Sequence, residues 1–242
     1  MFIKQYINNW ITNVLAVTFL TLALLSFGYA EYFDRLFIVY LIGVAALNIK
    51  NANIISIVLI VLFERFLEEI VFFSSSNVLA KPLIYLLSLF LVKKLWYDLL
   101  SKRMILPVII VCILCEIYWY TTSYNAPKIH SYVAMLMLNM ITRHLIFLRV
   151  PIFDKTLSNN QFQKYMTIKL KQIPLDLQLY SISMLSCVVI TAIISEYLLR
   201  HIFHINSLVV YEYYSYFMQS LTVAILFFIT NYCFKSVYKI SV

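Results

Sequence analysis

Apolar residues occur in long runs separated by short polar breaks, near residues 10–30, 36–49, 54–73, 79–93, 104–120, 131–150, 180–199 and 213–234. Runs of this length predict membrane helices, since a perpendicular crossing takes ~20 residues. The second and fourth runs are short, and read as tilted partners, re-entrant segments or one helical hairpin. The pattern therefore predicts an all-α, polytopic transmembrane bundle of six to eight spans, eight being the best count. No interval is long enough to fold as a separate soluble domain, so residues 1–242 read as one transmembrane domain.

Composition agrees. The chain is 63% hydrophobic and 12% charged, with a mean hydropathy of +0.87, whereas a soluble domain averages about 45–50% apolar and about 25% charged residues. Aromatic residues collect near the ends of the apolar runs, at Tyr6, Trp10, Trp96, Tyr97, Tyr118, Trp119, Tyr120, Tyr211, Tyr213, Tyr214 and Tyr216. Amphipathic rings rest at headgroup level, so these are expected at the membrane surface. The N-terminus, with Lys4, an apolar run, Gly28 and Ala30, loosely resembles a signal peptide. The run is long enough to remain as the first span.

The formal net charge is +8, and its distribution carries more than its size. With the N-terminus in the cytoplasm, the inner ends take Lys4, Lys50, Lys93, Lys94, Lys102, Arg103, Arg149, Lys155, Lys164, Lys169, Lys171, Lys235 and Lys239. The outer ends take only Arg35, Lys81, Lys128 and Arg200. This bias predicts eight crossings with both termini inside, in a bacterial cytoplasmic membrane, and accounts for the basic balance without a nucleic-acid partner.

The longest polar interval, 151–179, falls on the expected cytoplasmic face. Its stretch QFQKYMTIKLKQI mixes apolar side chains with Lys164, Lys169 and Lys171. Such a segment lies on a membrane surface, attracted to anionic lipid, or docks a cytoplasmic partner. Alternation from Met166 to Lys171 also fits a short strand, and Pro174 ends either version.

Within the third run stand Glu64, Arg65, Glu68 and Glu69. Charge in hydrocarbon costs several kcal/mol per group unless paired, neutralised or wetted, which makes these residues functional candidates. They span an arc of ~140° of helix surface, and Arg65 reaches Glu68 and Glu69 at three and four residues. One arginine neutralises one carboxylate, so a partner is sought on the sixth run, where Arg143 and His144 follow Asn139. At ~1.5 Å per residue, Glu64 stands ~15 Å and Arg143 ~12 Å from the cytoplasmic edge, close enough in depth to meet. Glu116 and Glu196 fall in the outer half. Glu64, Arg65, Glu68, Glu69, Glu116, Asn139, Arg143 and His144 are expected to line a path for ions or protons or a polar binding site; the competing reading is an ion-pair network that fixes helix register.

Other chemistry is weaker. Cys112 and Cys115 share one helix face in mid-span, where core packing explains them better than redox work at an accessible helix start. His130 and His144 have no matching ligand set, while His201 and His204 share a face beside Glu196 and Arg200 as a weak metal pair. Only Gly28 and Gly43 are glycine, so GxxxG packing faces, carbonyl filters with glycine and Gly-rich phosphate loops are excluded. HExxH and GxSxG are also missing, and no cofactor motif is present.

Three functions fit. The preferred one is an integral component of a membrane assembly, paired with itself or other membrane subunits, acting as an ion- or proton-conducting or gating element through charges on the third and sixth spans. The second is a small-solute transporter or permease subunit. The third is an intramembrane enzyme acting on lipid or a lipid-linked substrate, with a carboxylate base and Arg143 holding phosphate.

Overall fold

The structure, a computed structural model, describes residues 2–74, 80–124, 128–158, 170–206 and 208–237. The described elements are helical, with no strand among the described residues: α1 (Phe2–Ser26), α2 (Ala30–Leu47), α3 (Ala52–Ser74), α4 (Ala80–Lys94), a π-helical turn (Ser101–Ile105), α5 (Leu106–Thr121), α6 (Ile129–Phe147), α7 (Arg149–Ser158), α8 (Pro174–Phe203) and α9 (Val209–Val237).

Local chemistry explains several boundaries. Gly28 takes φ +92° between α1 and α2, a left-handed value open to glycine without a Cβ clash, so the turn is tight enough for α2 to fold back on α1. Pro107 has no N–H, and its ring collides with a carbonyl four residues back in a regular helix; the wider turn at Ser101–Ile105 precedes it. Pro151 cannot donate to the carbonyl of Phe147, and α6 and α7 meet there at a bend of 70°. Pro174 opens α8 with Asp176 in its first turn, a position where a missing N–H costs nothing and a carboxylate faces the positive helix end.

Among the described residues, four helices are long and apolar enough to cross a membrane, at Asn9–Ser26, Ser101–Thr121, Pro174–Phe203 and Val209–Ser236, or five if the bent pair Ile129–Phe147 and Arg149–Lys155 is one span. This is fewer than the six to eight expected. The apolar runs at 36–49, 54–73 and 79–93 do form helices. However, α2 opens with Glu31, Asp34 and Arg35, α3 carries Glu64, Arg65, Glu68 and Glu69, and α4 is only 15 residues long.

The interval 151–179 is also corrected. It does not lie between helices as one surface segment, because α7 occupies 149–158 and α8 already begins at 174. Residues 170–173 form neither helix nor strand, and Lys164 and Lys169 lie outside the described residues.

The chain divides into two compact units: 1–63, 142–184 and 216–242 form the first, and 64–141 and 185–215 the second. In the first, Phe37, Leu41, Ile57, Val58, Leu175, Leu179 and Ile229 form the centre of an apolar core. Part of α9 is tied to the first two helices by Thr12 Oγ1 to Asn231 Oδ1 at 3.2 Å, Tyr40 Oη to Thr230 Oγ1 at 2.6 Å and Gln219 Nε2 to Ser26 Oγ at 2.6 Å. In the second unit α4 packs on α5, and Tyr85, Val92, Ile109, Cys112, Val133 and Ile194 are buried. Leu20, Leu24 and Leu25 of α1, and Phe72 and Phe73 of α3, are exposed. Apolar surface of this extent marks contact with lipid or with other proteins.

Candidate functional site

The α3 charges do not act as one buried polar face. Glu64 is buried, Arg65 and Glu68 are half-buried, and Glu69 is exposed. Arg65 chooses Glu68, Nη1 to Oε2 at 2.7 Å, the i,i+3 spacing that a helix brings together. Glu64 belongs to the second unit and Arg143 to the first.

Arg143 is buried against Tyr180 of α8. Its Nη2 donates to the Tyr180 hydroxyl, and the guanidinium carbon lies 4.4 Å from the ring centroid, a cation–π arrangement. His144 is half-buried. Asn139, buried in the second unit, returns its amide to its own helix, Nδ2 to Met135 O at 3.1 Å, which is a local structural use.

The most complete polar centre is one that the apolar pattern does not single out. Arg149, read from charge bias as an inner-loop cation, has 0% exposure. Its Nε donates to Asp176 Oδ1 at 2.8 Å and its Nη2 to Asp176 Oδ2 at 2.7 Å. Nη1 donates to Ser56 Oγ at 2.8 Å, and Nη2 also to Lys171 O at 2.8 Å. Asn53 Oδ1 accepts the Lys171 N–H at 2.9 Å, and Asp176 Oδ2 accepts the Ile173 N–H at 2.9 Å. Three chain segments, α3, residues 171–173 and the start of α8, are thereby pinned to the guanidinium of α7, with the Lys171 side chain left exposed. A signal was present in the Pro174–Asp176 helix start and in Asn53 and Ser56 one turn apart on α3. Every bond here is spent within the protein, so the centre reads as structural.

Glu116 of α5 is different. Its Oε2 lies 3.5 Å from Lys81 Nζ of α4, whereas Oε1 is buried with no hydrogen-bond partner among the described residues. Tyr85, one turn after Lys81, turns its buried hydroxyl toward the same carboxylate without reaching hydrogen-bond geometry. Tyr197 of α8 also interacts electrostatically with Glu116, and its hydroxyl is likewise buried and unbonded among the described residues. Trp119, one turn along α5, sets the Tyr197 ring edge-on at 6.2 Å. A carboxylate oxygen and two hydroxyls that meet no strict hydrogen-bond geometry among the described residues thus share this region. Lys81, placed among the outer loop charges by sequence, is this acid's counter-ion.

Trp119 itself is corrected: expected at headgroup level, it is 2% exposed. It packs among Tyr124, Tyr197 and His201, while its neighbour Tyr120 points outward at 88%. Helical rotation of ~100° per residue separates the two faces.

At the end of the same unit a cavity of about 380 Å³ is lined by Lys128, Ser131, Tyr132, Ile193, Glu196, Tyr197, Arg200, His201, Leu208 and Tyr211. Glu196 is buried and accepts the first-turn N–H groups of α9, Val210 at 3.1 Å and Tyr211 at 2.7 Å. A carboxylate from one helix therefore caps the next. His201 lies on Tyr197 with centroids 4.5 Å apart, and its Nδ1 is 2.9 Å from Tyr124 Oη. His204 follows in a left-handed turn with φ 55°. No three His, Cys, Asp or Glu side chains are grouped to hold a metal among the described residues. The cysteines Cys112, Cys115, Cys187 and Cys233 are buried and form no disulfide.

No protein-family model, curated protein or solved structure matches this chain.

Proposed function

We propose that the chain is an integral component of a membrane assembly, crossing a bacterial cytoplasmic membrane eight times with both termini inside, and that it passes protons through its half-buried carboxylates. The observation that carries this reading is Glu116, whose Oε1 and neighbouring Tyr85 and Tyr197 hydroxyls are buried without hydrogen-bond partners among the described residues. An ionised Glu116 has the Lys81 ammonium at 3.5 Å but leaves Oε1 bare. A protonated Glu116 gains a donor that either tyrosine oxygen accepts, and leaves Lys81 to solvent, where it already has 38% of its side chain. The two forms would draw on different neighbours, Lys81 for the carboxylate and a tyrosine oxygen for the acid, an arrangement that suits a proton-passing group. The Arg65–Glu68 pair on α3 supplies a second polar step in the same unit.

The test is proton uptake by proteoliposomes under an imposed potassium-diffusion potential. Wild-type protein is expected to carry flux that Glu116→Gln lowers at least tenfold, with Tyr85→Phe intermediate. Equal flux in wild type and a folded Glu116→Gln variant, or none in wild type, overturns the proposal.

A further inference from the structure

The cavity in the second unit holds two cations that have no ion pair among the described residues. Lys128 leads into α6, and Arg200 lies in the last turn of α8; both are exposed at the mouth, with His201 beside Arg200. The single carboxylate in the lining, Glu196, is directed at the Val210 and Tyr211 amides. That anion is therefore offset by the positive end of α9, and the field at the mouth belongs to Lys128 and Arg200. The rest of the lining is largely apolar or aromatic: Ile193, Leu208 and the rings of Tyr132, Tyr197 and Tyr211. The Tyr132 ring is held edge-on by Tyr214 at 6.0 Å and the Tyr197 ring by Trp119, so two walls are fixed by packing.

We propose that this cavity binds a phosphate-bearing ligand, its anion held between Lys128 and Arg200 and its apolar portion against the tyrosine walls. Two cations on one cavity lining suit a phosphate better than a carboxylate, which one arginine already matches in two-pronged fashion. The volume of about 380 Å³ lies in the range of small-molecule sites and exceeds what an inorganic anion fills, leaving room for the glycerol and first chain segment of an anionic lipid. The inference is independent of proton transfer at Glu116, because none of the proposed anion-binding groups contacts that acid.

Native mass spectrometry of the detergent-solubilised full chain, mixed with dioleoyl phosphatidic acid or dioleoyl phosphatidylcholine, tests it alongside binding of radiolabelled inorganic phosphate. Phosphatidic acid is expected to be retained at least tenfold more than phosphatidylcholine and to be lost at least tenfold from the Lys128→Gln/Arg200→Gln double variant. Ser131→Trp, which fills the cavity without altering its charge, is expected to remove the lipid to the same extent and guards against misfolding of the double variant. Phosphate binding that both variants abolish, without lipid retention, supports the same anion site supplied by a soluble phosphate. Retention unchanged in folded Ser131→Trp assigns the lipid to surface charge and overturns the proposal, as does failure of both probes to bind wild type.

Discussion

Arg149 and Asp176 form a two-pronged ion pair, Nε to Oδ1 at 2.8 Å and Nη2 to Oδ2 at 2.7 Å, around a guanidinium with no solvent exposure. Because Ser56, Asn53 and Lys171 complete the set, removing the cation strands a carboxylate and three polar groups together. Arg149→Met is expected to cost about 3–5 kcal/mol, the loss typical of breaking a buried pair from one side. Arg149→Lys keeps the charge but cannot supply the fork, and is expected to recover only part of it. Thermal unfolding in detergent measures both, and a Lys variant as stable as wild type would show that geometry is immaterial here.

Arg143 meets Tyr180 through both hydroxyl and ring face. Tyr180→Phe removes the first and leaves the second, with an expected loss of about 1–3 kcal/mol for a bond to a charged group. Tyr180→Leu removes both and is expected to lose roughly 1–2 kcal/mol more. Equal losses in the two variants, measured by the same unfolding assay, rule out a contribution from the ring face.

Glu196 accepts two N–H groups at the start of α9. Glu196→Gln keeps an acceptor but loses the charge that complements the helix dipole, at a cost of about 1–2 kcal/mol, as for a lost cap. The effect is expected locally, as faster amide hydrogen exchange at Val210 and Tyr211 than at residues deeper in α9. Uniform acceleration along α9 would argue against a capping role.

Trp119 and Tyr120 are chain neighbours with opposite surroundings, 2% and 88% exposed. Trp119→Ala is expected to destabilise by about 3–5 kcal/mol through the cavity it opens. Tyr120→Ala is expected to stay within about 0.5 kcal/mol. Comparable losses at both positions would place Tyr120 in a contact it does not make within this chain.

The thiols of Cys112, Cys115, Cys187 and Cys233 are buried and unbridged. A maleimide is expected to label none of them in the native protein within minutes, and all four after denaturation, without prior reduction. Rapid native labelling of Cys112 or Cys115 would expose the α5 face now closed by packing.

Helix formation, and the membrane class of the chain, were legible in the apolar runs because hydropathy is a property of each residue summed over a window. Proline marked a real boundary at Pro174, which ends the polar interval and opens α8, because its backbone limits are intrinsic. The i,i+3 pair Arg65–Glu68 was legible for a similar reason: helical periodicity alone brings those side chains together.

Partnership over long chain distances was not legible. Arg149 looked like a loop cation and Trp119 like a headgroup aromatic, because charge bias and position near a run's end are averages over many proteins, whereas burial depends on which helix packs alongside. Arg149 was claimed by Asp176, Asn53 and Ser56, Lys81 by Glu116, and Glu196 by the first amides of α9. Sequence determined that the chain is helical and built largely for lipid, since those traits follow from local periodicity and transfer free energy. Only tertiary structure decided which polar groups close on one another and which keep unfilled bonding capacity, because hydrogen bonds and ion pairs form across ~3 Å gaps that packing alone creates.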